Sequence, residues 1–341
     1  MAFTTIPKST DYFDTSIWTG NSTSRLIPLD FEPSFVWGKA RSVATQHALF
    51  DAVRGATGRI KSDTNGAEVP NSGVTAFNSN GFTNGTSDSL NQNGQTFASW
   101  SWKANGSGSA NTVGVIDSTV SVNATSGFTI VKWVATDENT TIGHGLGVAP
   151  KVIIVKSTTV TQPWIMGHGS LGFTKNLYLN QTDAENTSST MWVNTAPTST
   201  VFTTGTNDNV AQNGQTFIAY CFSEVQGFSK FDSYLGNANA DGSFVHTGFK
   251  PAWVMIKRAS TAGDNWLIHD SKRNGYNGGN KQLDADQDNA EGNSRLIDMF
   301  SNGFKIIIND AKINASGDTY IYMAFAENPF VTSTGVPATA R

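Results

Sequence analysis

The residues of this chain that are typed and spaced for chemistry are few. His269-Asp270-Ser271 sets the three members of a nucleophilic relay side by side. Neighbours on a strand point to opposite faces, so these three cannot form the hydrogen-bonded chain the relay requires. Asp284, Asp286 and Asp288, with Glu291 beyond, alternate carboxylates that could gather oxygen ligands for calcium. The run lacks the sixth-position glycine and twelfth-position glutamate of an EF-hand loop, so a solvated loop is the expected role and these three aspartates stand only as metal candidates.

The remaining candidates are weaker still. Read along the chain, the five histidines fall into two recurring places: His47, His168 and His269 in mid-unit strands, and His144 and His246 ahead of a proline. A catalytic group is normally used once, so recurrence favours a scaffold role. Cys221 is the single cysteine; it cannot form an internal disulfide, and its counterparts Ser101 and Ala324 mark a slot for a small residue. Aromatic faces can stack on sugar rings. Tyr276 and Trp192 lie outside the recurring aromatic positions and are the candidates for exposed binding platforms, whereas Trp37, Trp100, Trp102, Trp164, Trp253 and Trp266 are expected in the core. There is no phosphate loop of Walker type, no Cys/His cluster and no isolated carboxylate pair suited to glycoside cleavage. Neither an enzyme nor a cofactor is expected.

The elements that would carry these residues are written three times. One marker, a two-residue lead, Pro, apolar positions and Lys, runs from Phe31-Glu32-Pro33 to Lys39, from Val148-Ala149-Pro150 to Lys156, and from Phe249-Lys250-Pro251 to Lys257. A second closes each unit: Asn93-Gly94-Gln95-Thr96-Phe97, Asn213-Gly214-Gln215-Thr216-Phe217 and Ser316-Gly317-Asp318-Thr319-Tyr320. Between them come an aromatic or aliphatic stretch with a histidine, and a Phe-led strand start at Phe82, Phe202 and Phe304. Four landmarks in fixed order, at a period of roughly a hundred residues, define a domain-sized repeat in which each unit buries its own core.

The closing stretches alternate with period two: Ala98, Trp100 and Trp102 match Ile218, Tyr220 and Phe222, and Ile321, Met323 and Phe325, which puts one large apolar face toward a core. The stretches after each proline read as strands buried on both faces. With 33 Gly and only 15% charged residues, the expected class is all-β: three tandem β-sandwich or jelly-roll-like units. Their bounds are 1–104, 128–226 and 227–330, with a Gly/Ser linker and possible extra strand pair at 105–127 and a tail at 331–341. The linker is expected to be flexible, and the short junction at Glu224-Val225-Gln226-Gly227-Phe228 rigid.

A net charge of −4 gives no basic footprint for nucleic acid. No apolar run is long enough to insert in a membrane, and the N-terminal residues lack the pattern of a secretory signal.

Ser9-Thr10-Asp11-Tyr12-Phe13-Asp14-Thr15 with Trp18-Thr19-Gly20-Asn21, the Phe31-Glu32-Pro33 strand with Trp37 and Lys39, Leu49 to Gly55, and the ending Tyr322 to Phe330 together resemble a repeat domain of marine bacteriophage structural proteins, often of the tail-fibre type. The likeness is weaker in the middle unit, where Gly167-His168-Gly169 stands in place of an expected Asp. The resemblance implies a virion protein assembled in the host bacterial cytoplasm and exposed on the particle, as a tail-fibre or host-attachment component or as a head decoration. Its partners would be other virion proteins and a host glycan or receptor, and a homo-oligomer, most simply a trimer, is expected. The alternative is a carbohydrate-binding adhesin module, and behind it a polysaccharide depolymerase.

Overall fold

The computed structural model describes residues 4–274, 277, 281–294 and 296–329. The chain is all-β. The apolar closing stretches Thr96–Trp102, Thr216–Phe222 and Thr319–Pro329 are each an inner strand of a large antiparallel sheet. On one side of each lies an opening strand, Phe13–Thr19, Phe128–Val134 or Ser229–Leu235. On the other lies a proline strand, Phe35–Ala40, Val152–Ser157 or Phe249–Arg258. Return strands Ala48–Asp51, Ile165–His168 and Leu267–Asp270 follow outside these. The three sheets have six, eight and five strands among the described residues. The second is the widest because Ser109–Asn111 and Ser118–Asn123 form a hairpin outside its opening strand.

Both faces of each large sheet are covered, which is why the first two proline strands are buried along their whole length. The outer face lies under a small sheet built on Gly81–Asn84, Val201–Thr204 or Gly303–Ile306, with Phe82, Phe202 and Phe304 at the centres of three separate apolar clusters. The inner faces meet one another. Trp102, Phe222 and Phe325, at matching places in the three closing strands, touch pairwise with ring centroids 5.5–6.2 Å apart. All six tryptophans expected in the core lie in this common cluster. The expectation of a wholly separate core for each unit is thus corrected: each sheet has an outer core of its own and a share of a central one. Period-two alternation reveals that a face is buried, but not whose side chains bury it.

Two further expectations change. The stretch after Ala104 is not a loose linker: Asn105 N–H donates to Ser121 Oγ (2.8 Å), Gly106 N–H donates to Ser34 Oγ (3.2 Å), and the chain passes directly into the added hairpin. The histidines do not share one strand position. Register places Asp51, His168 and Asp270 opposite the first core residue of the proline strands, and His269 opposite Val254, one residue away. His47 lies outside the strand, next to its start.

The closing marker has a local physical cause. Gly94, Gly214 and Gly317 have φ of +76°, +71° and +77°, and an added Cβ would meet nothing, so the left-handed backbone rather than space selects glycine there. One-turn helices Asp88–Asn91, Asp208–Ala211 and Ala311–Asn314 precede these turns, capped by side-chain oxygens of Ser87, Asn207 and Asp310. The residue after each glycine accepts a side-chain bond: Ser42 Oγ to Gln95, Thr159 Oγ1 to Gln215 and Ser260 Oγ to Asp318, at 2.8–2.9 Å.

Candidate functional site

The polar chemistry of the described residues is concentrated at the seams between the large sheets, where the loop after each return-strand hairpin lies on the proline strand of the next sheet. The loop 61–68 meets the second sheet. Trp164 Nε1 donates to Lys61 O (2.7 Å), Lys156 Nζ to Asn65 O (3.1 Å), and Glu68 N to Thr158 O (2.9 Å). The loop 178–185 meets the third. There Trp266 Nε1 donates to Tyr178 O (2.9 Å), Lys257 Nζ to Thr182 O (3.0 Å), and Glu185 N to Ala259 O (2.7 Å). The loop 284–291 returns to the first sheet and closes the circuit. Lys39 Nζ donates to Asp288 O (3.1 Å) and Asn289 O (2.8 Å), Glu291 N to Arg41 O (2.7 Å), and His47 Nε2 lies 3.0 Å from Asp284 O. Because Trp37 Nε1 donates to His47 Nδ1 (2.8 Å), the proton of a neutral imidazole must sit on Nε2, which makes His47 the donor to that carbonyl.

The lysines that end the proline marker therefore act as clamps. Lys39, Lys156 and Lys257 are fully buried, and each also donates to a carbonyl on its own side of the seam: Ala40 and Ser157 in their strands, and Asp264 in the loop that follows Phe249–Arg258. Burial pushes the ammonium of Lys39 down to about 8, that of Lys156 to about 7 and that of Lys257 to about 8. Sequence reasoning saw the three lysines but not their burial. Their recurrence at one spacing was the signal, since a solvated lysine has no reason to recur.

A second set of groups lies deeper in the seams. Asp51 accepts from Tyr220 Oη of the second sheet (2.7 Å) and from Arg54 Nε (2.5 Å), whose Nη1 also reaches Glu68 (2.9 Å). Asp270 accepts from Trp100 Nε1 of the first sheet (2.9 Å) and from Arg273 Nε (2.5 Å), whose Nη1 reaches Glu291 (3.1 Å). At the third such place His168 Nε2 faces Tyr322 O of the third sheet (3.3 Å), and burial pushes the imidazole down to about 4, which keeps it neutral.

The residues singled out for chemistry are not brought together. Asp286 is buried and caps the loop, its Oδ1 accepting from Trp266 N (2.9 Å), the bond that Asp63 makes to His47 N and Asn180 to Trp164 N. Burial raises its carboxyl to about 6. Asp284 accepts from Asn265 Nδ2 (3.2 Å) and Gln282 Nε2 (2.5 Å), and Asp288 contributes its carbonyl to Lys39 while its side chain faces outward. No group of three His, Cys, Asp or Glu side chains able to hold a metal occurs among the described residues. Trp192 is corrected as a binding platform: it is 1% exposed and packs edge-on against Phe173 in the second outer core. Tyr276 lies outside the described residues. Asp270 belongs to the seam, where it accepts from Trp100 and Arg273, and Cys221 is buried with its thiol pushed well up by burial.

The cavities match this picture. The void in the central core, between Trp37, Trp164, Tyr220, Trp253 and Met323, is about 10 Å³, room for one water at most. A surface groove of about 550 Å³ near Thr4, Ala124, Val148 and Val225 has one carboxylate, Glu224, which already pairs with Lys230 (3.2 Å). No helix among the described residues is long and apolar enough to cross a membrane. What the seams do chemically is hold three sheets against one another with buried, directional bonds.

These features define an all-β protein of three large sheets locked around a shared aromatic core. The chain belongs to the family described as a domain of unknown function, DUF7483, which matches residues 8–329. Neither the curated proteins nor the solved structures include a match to it.

Proposed function

We propose that this chain is a structural protein of a bacteriophage particle, exposed on its surface as a tail-fibre or host-attachment component or as a head decoration. In this reading it is three tandem copies of one module of about a hundred residues, arranged in a ring within a single chain. The observation that carries the reading is the cyclic order of the seams, in which the same lysine, the same loop and the same backbone bonds recur and the third loop returns to the first sheet. Such a ring is mechanically closed, suits an exposed particle component, and turns three small sheets outward, where weak contacts would add through avidity. The resemblance of the opening and closing segments to marine phage structural proteins supports the same reading. The test is to purify particles, search them for this chain by mass spectrometry, and label it with an antibody for electron microscopy. Label on head or tail is the expected result. Particles free of the chain would sink the proposal.

A second reading, a carbohydrate-binding adhesin, is favoured by one aromatic pair at the surface, with Phe244 exposed and Phe300 half-buried. Phe244 and Phe300 stand 6.1 Å apart on the third small sheet, beside the ion pair of Lys305 with Asp241. Glycan-array binding that disappears in a Phe244→Ala, Phe300→Ala variant would favour it. An unchanged array profile would remove it.

A further inference from the structure

The outer edges of the three opening strands meet three different fates. In each of these strands alternate residues bond to the closing strand and the others turn their N–H and C=O outward: 13, 15, 17 and 19 in the first sheet, 128, 130, 132 and 134 in the second, and 229, 231, 233 and 235 in the third. In the second sheet that edge is filled by the chain's own strand Ser118–Asn123. In the third, three of the four outward N–H groups and one outward carbonyl are bonded locally. Ser229 N donates to Val225 O (2.9 Å), Phe231 N to Glu224 Oε1 (2.9 Å) and Ser233 N to Asp232 Oδ1 (2.9 Å), while Leu235 O accepts from Ser243 Oγ (3.0 Å). In the first, Thr15 N donates to Asp14 Oδ1 (2.8 Å) and Thr19 O accepts from Arg25.

We propose that Asp14, Glu224 and Asp232 are guards which prevent an added strand from pairing with these two edges, and that the 109–123 hairpin is the internal strand doing the same for the second. Three observations converge on this assignment. An amide bonded to its neighbour's carboxylate is not free to join a ladder, and a carboxylate there repels the carbonyls of an incoming strand. The filled edge carries Thr129 and Val131 where the open edges carry Asp14 and Asp232, so acids occur where no strand covers the backbone. The open edges also carry apolar side chains, Ile17 at 46% and Leu235 at 61% exposure, that would otherwise favour association. The partner excluded is an extended segment, in the first instance the edge of a second copy of this chain.

The experiment compares the full chain with the double variant Asp14→Thr, Asp232→Val, which installs the residues of the filled edge, and with Asp14→Asn, which keeps a side-chain acceptor for Thr15 N. Light scattering and sedimentation are read over a concentration series, with circular dichroism as the check on folding. The native chain and Asp14→Asn should remain single. The double variant should give a mass of about two chains or more at high concentration, with slowed exchange of the Thr15 and Ser233 amides. A folded double variant that stays single overturns the proposal. Amide exchange on the native chain decides the matter if the variants do not fold: the Ile17 N–H should exchange rapidly at all concentrations, and protection there would mean that a strand already occupies the edge.

Discussion

The seam between the first and second sheets and the seam between the second and third solve one packing problem with different chemistry. At the first, Asp51 receives the Tyr220 hydroxyl from across the seam and the Arg54 guanidinium from its own turn. At the second, His168 occupies the place of Asp51, Leu171 the place of Arg54, and Met323, at the register of Tyr220, offers no donor, so the imidazole turns to the Tyr322 carbonyl instead. The three changes belong together. A buried carboxylate needs donors on both sides, and once the neighbour supplies a thioether the ion pair has lost half its support. A neutral imidazole needs only one acceptor, and the backbone always has one. The seam between the third and first sheets keeps the ionic solution, with Asp270, Arg273 and Trp100.

The largest effects should come from breaking an ionic seam from one side. Asp51→Ala leaves the Arg54 guanidinium, 2% exposed, with only the half-buried Glu68 as a carboxylate partner and removes the acceptor of Tyr220, which should cost about 3–5 kcal/mol in denaturant unfolding. His168→Ala should cost about 1–2 kcal/mol, because a cavity and one lost bond replace a stranded charge. The sharper version transplants the chemistry: His168→Asp should be strongly destabilising by itself and partly rescued by adding Leu171→Arg and Met323→Tyr. If the triple variant is no more stable than the single one, the three positions are not coupled.

The lysine clamps come next, and they are common to all three seams. Replacing Lys39 by Met leaves carbonyls of Ala40, Asp288 and Asn289 without their donor and should cost about 2–4 kcal/mol. The clamps also give a pH signature. Their folded-state values, about 7 to 8, lie below the 10.5 of an unfolded lysine, so between these limits the unfolded chain binds more protons than the folded one. Their contribution to stability therefore rises with pH from about 7 to 10, and is lost again as the ammonium forms on the way down. His168 adds a lower window with the same sign: its folded value of about 4 lies under the ordinary 6.5, so stability falls as pH drops from 6.5 toward 4. Unfolding curves across pH should show Lys156→Met flattening the upper slope and His168→Asn the lower one. Identical slopes in variant and native chain would contradict the assignment.

How much of this was legible in the residues follows from the range of each signal. Strand alternation is local, so Trp100, Tyr220 and Met323 were readable as one buried face, and the glycine of each closing turn was readable as a fixed place in the pattern. The one-turn helices were not, since four residues carry no helical period; only their caps, Ser87, Asn207 and Asp310, mark them. The seams were hidden because their partners stand far apart in sequence, as Lys39 and Asn289 do, and nothing in either segment names the other. The histidines misled because the letter His was matched instead of the alternation around it, which put His269 one place away from the position that Asp51, His168 and Asp270 share. Aspartates 284, 286 and 288 show the converse: an acidic run resembles a ligand set until one member is found capping a strand and another holding a lysine through its backbone.

The smallest effects should lie at the rims, where the two seams differ in appearance but not in consequence. Across the first, Lys132 Nζ donates to Val53 O at 3.3 Å; across the second, Ser170 Oγ donates to Asp232 at 3.3 Å. The Ser170 contact is exposed, so water can replace each partner at little cost and the hydroxyl gives up little freedom in making it. Ser170→Ala should therefore shift the unfolding free energy by less than about 0.5 kcal/mol. Lys132→Ala should do only slightly more, because part of its stem is shielded along the strand. A loss above about 2 kcal/mol at Ser170 would place the strength of the second seam at its rim rather than at His168, and would reverse the order of importance drawn from burial.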